Sequence, residues 1–369
     1  MNVPFLDFGP MHGSIKPEVM EAFESFYDSK WYVLGDRLVK FEEEYAAFSG
    51  VNYAIGTSNG LDAIYLGLKS LGIGDSDEVI MPSNTFIATV LAVTSLGAIP
   101  VFVEPDRNTY LIDPKKIKDA ISAKTKAIIP VHLYGQACQM DEVMELAKQH
   151  QLYVLEDNAQ AHGATFKGQL TGSFGDINAT SFYPGKNLGA LGDAGALTTQ
   201  VESFASSCRM LRNYGSSEKY RHTVKGHNMR MDELQAAILS VKLKHLYEWT
   251  ANRKEIAEFY SKALFECGDL ILPKTHPEAT HVYHLYVVRS SRRDELQDFL
   301  KVNGIGTLIH YPIPAHLQKA YQNLGFKKGD FPIAEELADT CLSLPIWPGI
   351  TQDQLEFVSQ QIKSFFTES

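Results

Sequence analysis

The sequence predicts an α/β protein whose first two thirds form a mostly parallel sheet, followed by a smaller α+β unit. Three observations carry this expectation. Short apolar runs of strand length recur as far as Tyr183, and segments with three-to-four spacing separate them. Beyond Gly195 the pattern changes to a long helical stretch and then to alternation on a smaller scale.

Tyr53-Ala54-Ile55 opens the series, and Leu61, Ile64, Leu68 and Leu71 then repeat at helical spacing, so the first strand leads into an amphipathic helix. Glu78-Val79-Ile80 supplies the second strand. The stretch from Thr85 to Val103 has no charged residue and is long enough to raise the question of a membrane span. Gly97 and Pro100 interrupt it, and Thr85, Thr89, Thr94 and Ser95 dilute it. It therefore predicts a soluble helix ending near Gly97 and a short buried strand at Pro100 to Val103. Ala127-Ile128-Ile129, Leu152 to Leu155 and Ile177 to Tyr183 continue the strands. Alternation of this kind implies βα units and parallel pairing, with ligands beyond the carboxyl ends of the strands. Met231 to Leu264 reads as one long helical stretch, and from Tyr283 onward short strands and helices alternate. The predicted division is a large domain at 1–248 and a small C-terminal α+β domain at 249–369.

Composition narrows the function. The 369 residues are 44% hydrophobic and 21% charged, with a net charge of −10, which provides no basic footprint for nucleic acid or an anionic membrane. Cys138, Cys208, Cys267 and Cys341 are scattered without a C-x-x-C pair, as expected of reduced thiols in a cytoplasmic protein without structural zinc. Met1 to Pro10 lacks the basic and apolar regions of a secretory signal, so the mature protein is expected to begin near Met1.

Three strand ends carry residues that could do chemistry. Ile55 to Gly60 runs from a strand into the first helix, aiming backbone N–H groups and the positive helix end at one point, an anion site. Ser58 or Asn59 capping the helix is the plainer reading of the same residues. Leu152 to Leu155 ends in Glu156-Asp157-Asn158-Ala159-Gln160, where a carboxylate could pair with a protonated ring nitrogen or simply cap the next turn. Ile177 to Tyr183 leads into Pro184-Gly185-Lys186-Asn187-Leu188-Gly189. A lysine on such a glycine-flanked turn is either a solvated surface group or an amine available for imine chemistry.

Taken together, these segments resemble the sugar-nucleotide aminotransferases of the DegT/DnrJ/StrS type, within the fold-type-I enzymes that use pyridoxal 5′-phosphate (PLP). The resemblance runs nearly end to end. It rests on Thr57 to Ala63, Pro82-Ser83-Asn84-Thr85-Phe86, Glu156 to Gly163, Ser181 to Gly189 and Asn228-Met229-Arg230-Met231-Asp232. It implies that Lys186 forms the Schiff base and carries the proton, and that Asp157 pairs with the pyridine nitrogen. Phe86 would stack on the ring, Asn59, Gly60 and Ser181 would bind the phosphate, and Gln160 would approach the hydroxyl side. Asn228 would reach the phosphate of a neighbouring subunit in a homodimer with shared active sites.

The reaction implied is ping-pong transfer of an amino group from an amino acid, usually glutamate, to a keto-sugar nucleotide in deoxyamino-sugar biosynthesis, such as that of O-antigens. Tyr183 stands where enzymes acting at C-4 tend to carry histidine, which favours C-3 of a dTDP-3-keto-6-deoxyhexose. Tyr183, His310 and Tyr311 are the candidate substrate contacts, with Tyr32 to Arg37 as weaker ones. Arg212, in a matching Leu211-Arg212-Asn213-Tyr214-Gly215 string, receives no role. Gly192-Asp193-Ala194-Gly195 departs from relatives that carry two glycines before the alanine.

Other classes fit less well. A nicotinamide dehydrogenase lacks its G-x-G-x-x-G, since Gly72-Ile73-Gly74 is followed by Asp77 where the third glycine belongs, and no Walker-A string occurs. His281 and His284 fall in a run that reads as a strand from Val282 to Arg289, which separates them as metal ligands. A PLP-fold sensor without turnover is the alternative from another class.

Overall fold

A computed structural model describes residues 1–367. Its main sheet has seven strands: β1 Tyr53–Thr57, β2 Glu78–Pro82, β3 Ile99–Val103, β4 Thr125–Ile128, β5 Tyr153–Asp157, β6 Ile177–Ser181 and β7 Gly195–Thr199. Their order across the sheet is β1-β7-β6-β5-β4-β2-β3. β6 through β3 pair in parallel, while β7 is antiparallel to both β6 and β1. Six strands therefore point one way, and the seventh brings its first residue, Gly195, to the edge where the others end. In this register Gly195 faces Thr57 on one side and Ser181 on the other.

The strands are buried on both faces, as parallel strands covered by helices must be. Helices α1 Asp36–Ser49, α2 Gly60–Ser70, α3 Ile87–Thr94 and α4 Glu202–Arg212 form part of that cover. The uncharged stretch from Thr85 accordingly becomes α3 and β3. No helix among the described residues is long and apolar enough to cross a membrane. The four cysteines are free and buried.

Two sequence expectations are corrected. Met231 to Leu264 is two helices, α5 Glu233–Leu243 and α6 Leu246–Ala263, because the chain tightens at Lys244 and His245, whose N–H groups bond three residues back to Val241 and Lys242. Only Tyr286–Arg289, β8, is strand in the run from Val282. Tyr283 instead takes a left-handed backbone (φ 46°) and stacks on His281 at 4.0 Å. β8 pairs with β9 Cys341–Leu344, and around them Ile256, Tyr260, Leu296, Trp347, Val358 and Ile362 form a second core, which also draws in Val3 from the N-terminus.

Candidate active site

The ends of β1, β5 and β6 meet at one cavity of 620 Å³. Asn59, Gly60, Phe86, Asp157, Gln160, Ser181, Tyr183, Lys186, His310 and Tyr311 all line it. Asn228 does not: it is exposed, on a segment bridged to Asn213. Tyr32 to Arg37 also lie outside this cavity. There Glu233 accepts the N–H groups of Gly35 and Arg37 at 2.7 and 3.0 Å.

The anion turn combines both readings of its sequence. Asn59 caps α2, its Oδ1 accepting the Asp62 N–H at 2.8 Å, while Gly60 and Leu61 lie in the first turn, where an α-helix offers no carbonyl partner for their N–H groups. The helix end is pressed against its neighbours. A Cβ on Gly60 would come within 2.6 Å of the Ser181 Cβ, and one on Gly195 within 2.4 Å of the Asn59 carbonyl. The departure from two glycines is thereby explained: Gly195 is the position that must stay bare, whereas the Ala194 methyl is accommodated in the core.

Asp157 ends β5 and is 6% exposed. Its Oδ2 accepts from the Thr89 hydroxyl at 2.8 Å and its Oδ1 from the Ala159 N–H at 3.2 Å, both neutral donors. Sequence reasoning missed Thr89, which lies in the first turn of α3, four residues after Thr85 in the segment that leads into the helix, with the two hydroxyls 3.0 Å apart. Gln160 is fixed from two sides: its Oε1 accepts the Tyr134 N–H at 2.6 Å, and its Nε2 donates to the Tyr311 hydroxyl at 3.1 Å. The Tyr311 ring lies 5.0 Å from that of Phe86, which is 47% exposed and lines the cavity.

Burial pushes the Lys186 amine down to about 8, although Asp157 pulls it up. The nearby His162 and His310 add no positive charge at neutral pH, because burial and then Lys186 itself push His162 to about 3 and His310 to about 4. His310 is further held by Ser343 at 2.8 Å. Further lining comes from distant parts of the chain: Phe5 and Leu6 near the N-terminus, Arg253 on α6, and His284. Among the described residues no group of three or more His, Cys, Asp or Glu could hold a metal ion.

These residues fit PLP. Among the described residues the carboxylate has no cationic hydrogen-bond partner and suits a protonated ring nitrogen; the glycine-lined helix end suits a phosphate; and the partly shielded amine suits an aldehyde. Fold and site thus define a PLP-dependent aminotransferase of fold type I.

Comparison with known proteins agrees. A family profile described as the DegT/DnrJ/EryC1/StrS aminotransferase family matches residues 13–363. A dTDP-3-amino-3,6-dideoxy-alpha-D-galactopyranose transaminase from Aneurinibacillus thermoaerophilus is 46% identical, over 98% of this chain and 99% of its own. A protein from Geobacillus stearothermophilus described as a pleiotropic regulatory protein is 45% identical, over 99% of both chains. Among solved structures, Streptomyces venezuelae DesV in complex with a ketimine intermediate superposes with a TM-score of 0.97 at 44% identity, covering 99% of this chain and 98% of its own. The chain belongs to the DegT/DnrJ/EryC1/StrS aminotransferase family.

Proposed function

We propose that this enzyme transfers an amino group from glutamate to the C-3 keto group of a dTDP-3-keto-6-deoxyhexose, giving a dTDP-3-amino-3,6-dideoxyhexose. One observation carries the reading: a buried carboxylate held by neutral donors and a half-shielded lysine share one cavity of 620 Å³, with Tyr183 59% exposed at its wall. The Aneurinibacillus relative, named for a dTDP-3-amino sugar, supports C-3 and the thymidine nucleotide.

When bound, PLP supplies an electrophilic aldehyde and an electron-withdrawing ring. The chain does the rest. The Lys186 amine is the nucleophile. As a free amine its Nζ is neutral in an appreciable fraction near pH 8, which would suit it to take a proton from the donor carbon and deliver it. Asp157 holds a proton on the ring nitrogen, with Thr89 and the Ala159 N–H fixing the carboxylate. Asn59, Gly60 and Ser181 would hold the phosphate, Phe86 would cover the ring, and Gln160, oriented by Tyr134 and Tyr311, would meet its hydroxyl side. Tyr183, His310 and Tyr311 contact the sugar.

The proposal includes a homodimer in which Asn228 serves the partner's phosphate, and its exposure on a bridged segment supports this. It also includes two domains divided at 248/249, supported by the separate C-terminal core, and a cytoplasmic place in deoxyamino-sugar biosynthesis such as that of O-antigens.

The test is the absorbance of the PLP-loaded protein on adding glutamate and then the dTDP-3-keto sugar. Bleaching of the long-wavelength band by glutamate and its return with the sugar is the expected result. A band that no donor bleaches would favour the sensor reading, to which the regulatory name of the Geobacillus relative gives some support.

A further inference from the structure

Arg212 is buried at the last position of α4, and Glu42 is buried on α1. They form an ion pair through Arg212 Nη1 and Glu42 Oε1. Between them they hold both polar groups of one peptide residue. The Glu42 carboxylate accepts the Gly56 N–H at 2.8 Å, and the Arg212 guanidinium donates to the Gly56 carbonyl at 2.7 Å. β1 is an edge strand, with β7 on its other side, so the outward N–H and carbonyl of Gly56 are groups that a further strand would otherwise pair. The ion pair takes the place of that strand at a single residue. It does so two residues before the Ser58-Asn59-Gly60 anion turn, and at a glycine whose Cβ would come within 2.7 Å of the Leu38 side chain.

The main chain of Arg212 reaches a second element. Its carbonyl accepts the Met229 N–H at 2.9 Å, and the Met229 carbonyl accepts the Ser58 N–H at 3.3 Å, while Thr57 bridges Arg230. The anion turn and the segment carrying Asn228 are therefore tied to each other and to the same arginine.

We infer that the buried Arg212–Glu42 pair is a positioning device for phosphate. It sets the height of the Ser58-Asn59-Gly60 turn in its own site, and through Met229 it sets Asn228 for the neighbouring one. This rests on the proposed placement of the cofactor phosphate at the start of α2. Arg212 touches no ligand in this scheme.

The test compares the affinities of the full-length protein for PLP and for pyridoxal, which lacks the phosphate, in wild type, Arg212→Lys and the double variant Arg212→Met/Glu42→Leu. The double variant removes both charges together, so neither is left buried alone. The inference expects PLP affinity to fall about tenfold or more in the double variant, the scale of one or two lost hydrogen bonds, while pyridoxal affinity changes less than about twofold. It also expects the ³¹P resonance of bound PLP to shift in Arg212→Lys, which keeps the charge and loses the planar fork. Equal losses for both ligands would make the pair merely structural and overturn the inference, as would unchanged PLP affinity. If the double variant does not fold, the affinity ratio and ³¹P shift of Arg212→Lys decide in the same way. Equal binding of PLP and pyridoxal by wild type would instead overturn the phosphate placement itself.

Discussion

Two adjacent acids at the end of β5 face opposite sides of the sheet and have opposite fates. Glu156 is fully buried and saturated. It accepts the N–H groups of Gly172, Phe174 and Gly175 at 2.8, 2.7 and 3.0 Å, and His132 Nε2 lies 2.7 Å away. The Cys138 N–H donates to His132 Nδ1 at 3.0 Å, so the tautomer that offers Nε2–H to Glu156 is the one selected. Asp157 faces the cavity with two neutral donors and acceptor capacity to spare. A carboxylate that the chain has fully satisfied holds loops in place, and one left partly unsatisfied is available to a ligand.

Substitutions can break or sharpen this contrast. The largest effect is expected on the cavity side, where Lys186→Ala should abolish turnover and leave the fold intact by circular dichroism. Full activity would remove Lys186 from the chemistry. Asp157→Asn should lower kcat by about 100-fold or more, because an amide cannot balance a protonated ring nitrogen, with little change in Tm. A near-native rate would mean that the ring is oriented by something else. Glu156→Gln should do the reverse, costing roughly 3 kcal/mol in urea unfolding while the folded fraction keeps its kcat. If instead Asp157→Asn unfolds the protein and Glu156→Gln only slows it, the assignment of the two acids is inverted.

A smaller effect concerns pH. Burial depresses the Lys186 amine to about 8, so the folded state binds that proton less tightly than the unfolded chain does. The resulting penalty is fully present below pH 8 and disappears as pH rises from about 8 to about 10.5. Lys186→Met should therefore stabilise the cofactor-free protein at pH 7, by about 3 kcal/mol at most, with the gain fading by pH 10. A gain that does not vary with pH in urea titrations would come from packing. The smallest effect is expected at Thr89→Val, which removes one neutral donor from Asp157 and should lower kcat by less than about tenfold at unchanged sugar KM. A change in KM alone would place Thr89 on the substrate side.

The sequence by itself determined the strand series and the chemical groups at its ends. Apolar runs and helical spacing are local patterns, and Asp157, Lys186 and the Thr57 to Gly60 turn each directly follow or end such a run. Tertiary structure decided what has no local period. The antiparallel direction of β7 is a matter of pairing that an apolar run does not encode, yet it brings Gly195 against Asn59. Thr89 finds Asp157 across 68 residues, and Arg212 finds Glu42 across 170. Phe5, Arg253 and His284 enter the cavity from an N-terminal segment, a helix and a turn that are far apart in the chain. Hydrophobic patterning specifies which face of an element is buried, but the partner of a buried polar group is fixed only when the elements pack, because the cost of leaving it unpaired arises only then.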